Sequence, residues 1–172
     1  MERKYPLLGL LLLIFIIASC KKSNNVQPKT TTGITLVLTS SEKYQATADN
    51  AFSLNLFKTV AAGSTDGSNL FLSPLSVSMA VGMTSNGANG ATLDGIRKAM
   101  HFTMPPDQVN AYYNKLITDL PKLDPQTTLN IANSIWYRQG FSVLAPFLNT
   151  DSSYYHAKIQ SLDFNDLLQK LL

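Results

Sequence analysis

Asn69-Leu70-Phe71-Leu72-Ser73-Pro74-Leu75-Ser76-Val77-Ser78-Met79-Ala80-Val81-Gly82-Met83 is followed two residues later by Asn86-Gly87-Ala88-Asn89-Gly90-Ala91-Thr92. Leu70-Phe71-Leu72 is a short apolar run that predicts a strand. Ser73-Pro74 reads as a helix N-cap with proline at the first helical position, where a missing N–H costs nothing and φ is already set. Leu75, Met79, Ala80 and Met83 then fall on one face of a helix. Gly87 or Gly90 ends it.

Downstream, Leu93, Ile96 and Met100 predict a third helix over 92–100, capped by Thr92. Pro105-Pro106 opens a fourth, in which Val109, Tyr112 or Tyr113, Leu116 and Leu120 keep helical spacing up to Pro121. The period then drops to two. Leu129, Ile131, Ile135 and Tyr137 alternate along 128–137, which predicts a strand with Asn133 set among its apolar residues. Gly140 breaks it, Ala145-Pro146 opens a short helix to about Tyr155, and 157–164 predicts a second strand. Upstream, Phe52, Leu56 and Val60 predict a helix over 51–61, with Thr47 or Asp49 as cap. Helices come first and strands late, an α+β order rather than alternating βαβ units.

The chain begins differently. Arg3 and Lys4 precede an 11-residue apolar run, Leu7 to Ile17, too short for the roughly 20 residues of a spanning helix. A basic start, a short apolar core and small residues describe a secretory signal peptide over 1–19. Ile17-Ala18-Ser19-Cys20 resembles a bacterial lipobox, which implies lipidation at Cys20. Several acyl chains on one residue would anchor the protein firmly, because each buried CH₂ contributes about 0.8 kcal/mol. Lys21 follows the cysteine, and a residue other than Asp there is compatible with an outer-membrane or cell-surface position. Residues 20–48 are polar and read as a tether, interrupted by the β-like Ile34-Thr35-Leu36-Val37-Leu38.

Composition narrows the function. The chain has 172 residues, 45% hydrophobic and 15% charged, with one Cys and a net charge of +3. That is too apolar for a disordered chain. A single Cys excludes an internal disulfide framework and a cysteine zinc site. The charge is too small and too dispersed for nucleic acid. Removing 1–19 takes Glu2, Arg3 and Lys4 and leaves +2. His101 and His156 stand without a second ligand at metal spacing, so no metal or other cofactor is expected. Ser40-Ser41-Glu42-Lys43 matches the serine–x–x–lysine pattern of some acylating hydrolases, but it falls in the expected tether, with no packed helix to depress the lysine pKa. No phosphate loop and no nucleophile elbow occur. No catalytic residues are assigned, and the chain is expected not to be an enzyme.

The opening segment resembles the second-helix region of serpins, whose pattern is N-x-x-x-S-P-x-S-x-x-x-A-L and then G-A-x-G-x-T. Val81 stands where Leu is commoner. Leu129-Asn130-Ile131-Ala132-Asn133-Ser134-Ile135-Trp136 is similar to the serpin strand L-x-x-A-N-x-I/L-F/W. Phe147, Tyr154-Tyr155, Ala157 and Leu162-Asp163-Phe164 follow in the family's order, so the resemblance covers about 49–164. It implies the N-terminal part of the serpin fold, helices A to E with the first strands of the central sheet, followed by a short tail over 165–172.

The resemblance further implies suicide inhibition of serine or cysteine proteases, in which a cleaved reactive loop inserts as a new sheet strand. It places Ser73, Ser76 and Asn133 in the "shutter" where that sheet opens. Small hydroxyls there allow close helix–sheet packing. The capping role already explains Ser73. The fourth helix sets Lys115 and Lys122 against Asp107 and Asp119, so no heparin-type site is expected. A complete serpin is more than twice this length and carries its reactive loop near the C-terminus. The reactive loop is therefore expected to be absent from this chain, which is expected to be inactive alone. The alternative is a surface-anchored, non-inhibitory binding protein that keeps the helical half.

Overall fold

The computed structural model describes residues 32–64 and 67–165. The signal segment, Cys20 and most of the tail lie outside the described residues. Among the described residues, five α-helices and two strands follow one another: α1 (Ser40–Gly63), α2 (Pro74–Ser85), α3 (Gly90–Ala99), α4 (Pro106–Asp119), β1 (Ser134–Arg138), α5 (Ala145–Tyr155) and β2 (Lys158–Leu162). A 3-10 turn, Leu120–Lys122, extends α4.

The first helix corrects the expected boundary between tether and folded part. Residues 40–48, read as tether, form the first turns of α1. The cap is Thr39, not Thr47 or Asp49. Thr39 Oγ1 accepts from the Glu42 amide at 3.3 Å, and Glu42 Oε2 accepts from the Thr39 amide at 2.7 Å. This reciprocal capping box satisfies two of the helix's orphan donors. Ahead of the cap, Leu36 and Leu38 pack against the core, and the Ile34 amide donates to the Lys122 carbonyl at 3.1 Å. Lys115 on α4 pairs with Glu42 at 2.6 Å and donates to the Val37 carbonyl at 3.4 Å, drawing this strap down.

α2 starts at Pro74 as the Ser-Pro signal predicts, but it ends at Ser85, with Asn86 as cap. α3 starts earlier than predicted, because the Asn89 side chain, not Thr92, accepts from the Gly90 amide. α4 and α5 have the predicted bounds. Leu70-Phe71-Leu72 is not a strand: it has no pairing partner among the described residues, and Phe71 is 94% exposed.

The core is built from Met79 and Met83 of α2, Met100, Phe102 and Met104 of the α3–α4 turn, and Val109, Tyr112, Tyr113, Leu116 and Ile117 of α4. Tyr155 and Ala157 close it from the end of α5. Tyr113 is its centre, with ring centroids 6.3 Å from Phe102, 5.4 Å from Tyr112 and 5.9 Å from Tyr155. Tilted and edge contacts of this kind suit the aromatic quadrupole.

β1 and β2 pair in parallel, Ser134 opposite Lys158 through Arg138 opposite Leu162. Parallel neighbours need a crossover, and α5 is it. The strand–helix–strand unit thus sits inside the α+β order predicted. β1 is shorter than the alternation implies: 128–133 precede it without a ladder partner among the described residues.

Candidate functional site

The three residues assigned from the sequence line one cleft of about 520 Å³. Its helix wall is Ser73, Ser76, Met79 and Met83 of α2, and its other wall is the stretch Leu129 to Ser134. Ser73 occupies the N-cap position, but its side chain makes no hydrogen bond to the helix. Its hydroxyl instead meets the Ser76 hydroxyl at 2.8 Å, both exposed at the cleft mouth. The two serines satisfy each other and leave the helix start to Pro74.

Asn133 belongs to the same cleft without touching either serine. Its Nδ2 donates to the Tyr155 carbonyl at 2.8 Å, and its own carbonyl accepts from the Lys158 amide at 3.0 Å. A side chain just ahead of β1 therefore ties down the last residue of the crossover helix, just before the second strand begins. This fixes the register of the parallel pair. Leu75, Met79, Ala80 and Met83 of α2 and Ile131 opposite them supply the cleft's apolar lining.

The residues that sequence reasoning missed lie behind the cleft. Gln45, Ser78, Asn110 and Asp151 are buried polar side chains. Gln45 Oε1 accepts from both the Thr103 amide (2.9 Å) and hydroxyl (3.1 Å), and its Nε2 donates to Asp49 Oδ1 at 2.9 Å. Asn86 and Asn110 exchange amide hydrogen bonds at 3.2 and 2.9 Å. Asn86 also donates to Asp151 Oδ1 at 2.8 Å, and the Tyr155 hydroxyl donates to Asn110 Oδ1 at 2.9 Å. Burial raises the Asp151 carboxyl to about 6, against the lowering effect of the Asn86 bond. Burial likewise raises Asp49. Their sequence signal was a polar residue recurring on the apolar face of each helix, as in Asn110 among Val109, Tyr113 and Leu116.

A second, apolar groove of about 710 Å³ opens between α2, α3 and β1, lined by Met83, Ile96, Trp136, Phe141 and Phe147 among others. The serine–lysine pair Ser40 and Lys43 is on a helix after all, in the first turn of α1, with both side chains exposed. Lys115 and Lys122 face Glu42 and Asp119, at 2.6 and 3.8 Å. Among the described residues, no three His, Cys, Asp or Glu gather as a metal site would need, and no helix is long and apolar enough to cross a membrane.

Comparison with known proteins gives this geometry a context. The family model described as Serpin (serine protease inhibitor) matches residues 47–170. The chain is 31% identical over 119 residues to a leukocyte elastase inhibitor of Equus caballus, covering 69% of this chain and 31% of that protein. It is 31% identical over 114 residues to a neuroserpin of Gallus gallus, covering 66% and 28%. The solved structure of the thermophilic serpin tengpin in the latent state superposes with a TM-score of 0.63 at 32% identity, covering 76% of this chain and 34% of that one. The chain thus spans about a third of the length of the relatives it matches, and over that third it has their helix-rich fold. With the Ser-Pro helix start, the strand that follows Asn133 and the crossover helix in the family's order, the chain belongs to the serpin family.

Proposed function

We propose that this chain serves a suicide inhibitor of serine or cysteine proteases, as the helical half against which the central sheet opens. The observation that supports it is the cleft between α2 and the 129–134 stretch. Its paired serines and apolar lining suit strands that part and rejoin. In this reading Ser73 and Ser76 let helix and sheet approach closely, while Asn133 holds β1 to the end of α5. None of the three does covalent chemistry, and the chain is not an enzyme.

Residues 20–172 by themselves do not trap a protease in this reading, because the described sheet has only two strands to store strain. The protein is exported and held on the outer membrane or cell surface by lipid on Cys20. The second reading is a surface-anchored binding protein, and what favours it is the apolar groove beside Trp136.

The test joins this chain to the remaining strands and reactive loop of a serpin, then adds trypsin-, elastase- and papain-like proteases. A covalent complex stable in denaturing gel is expected with the joined protein, lost on Ser76→Leu, and not seen with residues 20–172. A complex formed by residues 20–172 would overturn the inactivity. A joined protein that folds yet only serves as substrate, with or without Ser76→Leu, would favour the binding reading. Incorporation of labelled palmitate by the parent but not by Cys20→Ser tests the anchor.

A further inference from the structure

Four polar side chains meet where α2, α4 and α5 pack together. Asp151 of α5 is fully buried. One of its oxygens accepts from Asn86 of α2 at 2.8 Å, and the other has no hydrogen-bond partner. Asn110 of α4 bonds Asn86 on one side and the Tyr155 hydroxyl on the other, so the four residues form one connected patch.

The charges around Asp151 offer its anion no compensation. Its own helix contributes Tyr155. From α4 come Tyr113 and, beside it, Tyr112, both with hydroxyls pushed further from ionisation by burial. On α1 stands another acid, Asp49, which accepts from the Tyr113 hydroxyl at 3.4 Å and also has an oxygen without a partner. From α2 come only Asn86 and the buried Ser78. His156 turns outward to Asn114, at 3.3 Å. Both ion pairs among the described residues lie elsewhere, on Lys115 and Lys122. A buried carboxylate with no cation beside it is costly, and adding a proton removes the charge.

We propose that Asp151, with Asn86, Asn110 and Tyr155, is a proton-operated clasp that fastens α5 to α2 and α4 when the carboxyl is protonated and slackens them when it ionises. The clasp stands independently of any protease trapping, since it concerns only the packing of these helices. It does reach the cleft, because the Tyr155 that holds Asn110 also supplies the carbonyl that Asn133 grips.

The direction follows from burial. The folded carboxyl titrates at about 6 against an ordinary 3.8. Its contribution is therefore complete below the ordinary value and lost as pH rises through about 6.

The experiment compares the full chain with Asp151→Asn, which keeps the acceptor for Asn86 and carries no charge. Thermal midpoints are measured from pH 4.5 to 7.5. At pH 7.5, D151N is expected to melt higher than the parent by ~6 °C, and the difference should shrink by half or more as pH falls to 4.5. A difference that does not change with pH overturns the proposal. If D151N does not fold, the Asp151 carboxyl is titrated in the parent by carbon NMR. A midpoint near 6 supports the clasp, and one at or below the ordinary carboxylate value overturns it.

Discussion

Gly82 lies in the middle of α2, where glycine is normally a fault, and replacing it with alanine sets two effects against each other. Helix propensity alone favours Gly82→Ala by about 1 kcal/mol. Space opposes it. A methyl group at Gly82 would stand 2.7 Å from the Tyr155 hydroxyl, 3.3 Å from Tyr113 Cε2 and 3.4 Å from Tyr155 Cε1. Neither ring has room to move: both tyrosines are 0% exposed, and the Tyr155 hydroxyl is held by Asn110 at 2.9 Å. Forcing the methyl in costs about 1–3 kcal/mol of overpacking. If the hydroxyl is displaced, a buried donor and acceptor part at a further cost of about 1–3 kcal/mol. The steric side wins, and with the hydroxyl displaced the variant should be less stable by ~1–5 kcal/mol net.

Urea unfolding followed by circular dichroism measures this as a lower midpoint at unchanged slope. Gly95→Ala in α3 is the control, since nothing lies within 4 Å of its new methyl, and it should stabilise by ~0.5–1 kcal/mol. Tyr155→Phe supplies the decisive background: with the hydroxyl gone, the nearest contact relaxes to 3.3 Å and the cost of Gly82→Ala should fall by half or more. A Gly82→Ala chain as stable as Gly95→Ala, or a cost unchanged by Tyr155→Phe, would refute the reasoning.

Three further outcomes are expected. Thr39→Ala should remove the α1 cap and lower stability by about 1 kcal/mol in the same urea assay. Gln45→Leu should cost ~1–3 kcal/mol, because it strands the Thr103 amide and the Asp49 carboxylate in the core. Glu42 should show the opposite pH sense to Asp151. Burial works against its charge, but Lys115 and the Thr39 hydrogen bonds outweigh it and hold the carboxyl below 4.5. Its contribution is thus present above 4.5 and lost as pH falls below that value, so Glu42→Gln should flatten the acid limb of a melting-point profile.

The legible elements were those with both a start signal and an apolar stripe. Ser73-Pro74 fixed the beginning of α2, and Pro105-Pro106 and Ala145-Pro146 did the same for α4 and α5. The first eleven residues of α1 were missed because the apolar stripe begins only at Phe52, while Gln45 and Asp49 face inward as polar groups. The Thr39–Glu42 capping box was there to be read, but the polar composition around it argued for a linker. Leu70-Phe71-Leu72 has strand residues but no partner among the described residues, and a strand is defined by pairing rather than by propensity. The convergence of Ser73, Ser76 and Asn133 on one cleft follows the family order. That Asn133 grips α5 rather than a serine depends on the crossover geometry, which no spacing along the chain reveals. The Asp151 patch was hidden for a related reason: its four members come from three helices.

The parallel pairing of β1 and β2 has a kinetic consequence. Ser134 meets Lys158 across a connection of about two dozen residues, 11 of them helix. Closing such a loop is entropically cheap once α5 has formed, since a rigid helix leaves few free links to order. The sheet should therefore assemble as a local event. The slow steps are those that join distant parts of the chain, such as seating Lys115 on Glu42 or Gln45 on Thr103. In folding terms, the strap and α1 are the last pieces to lock, and the strand–helix–strand unit is the seed.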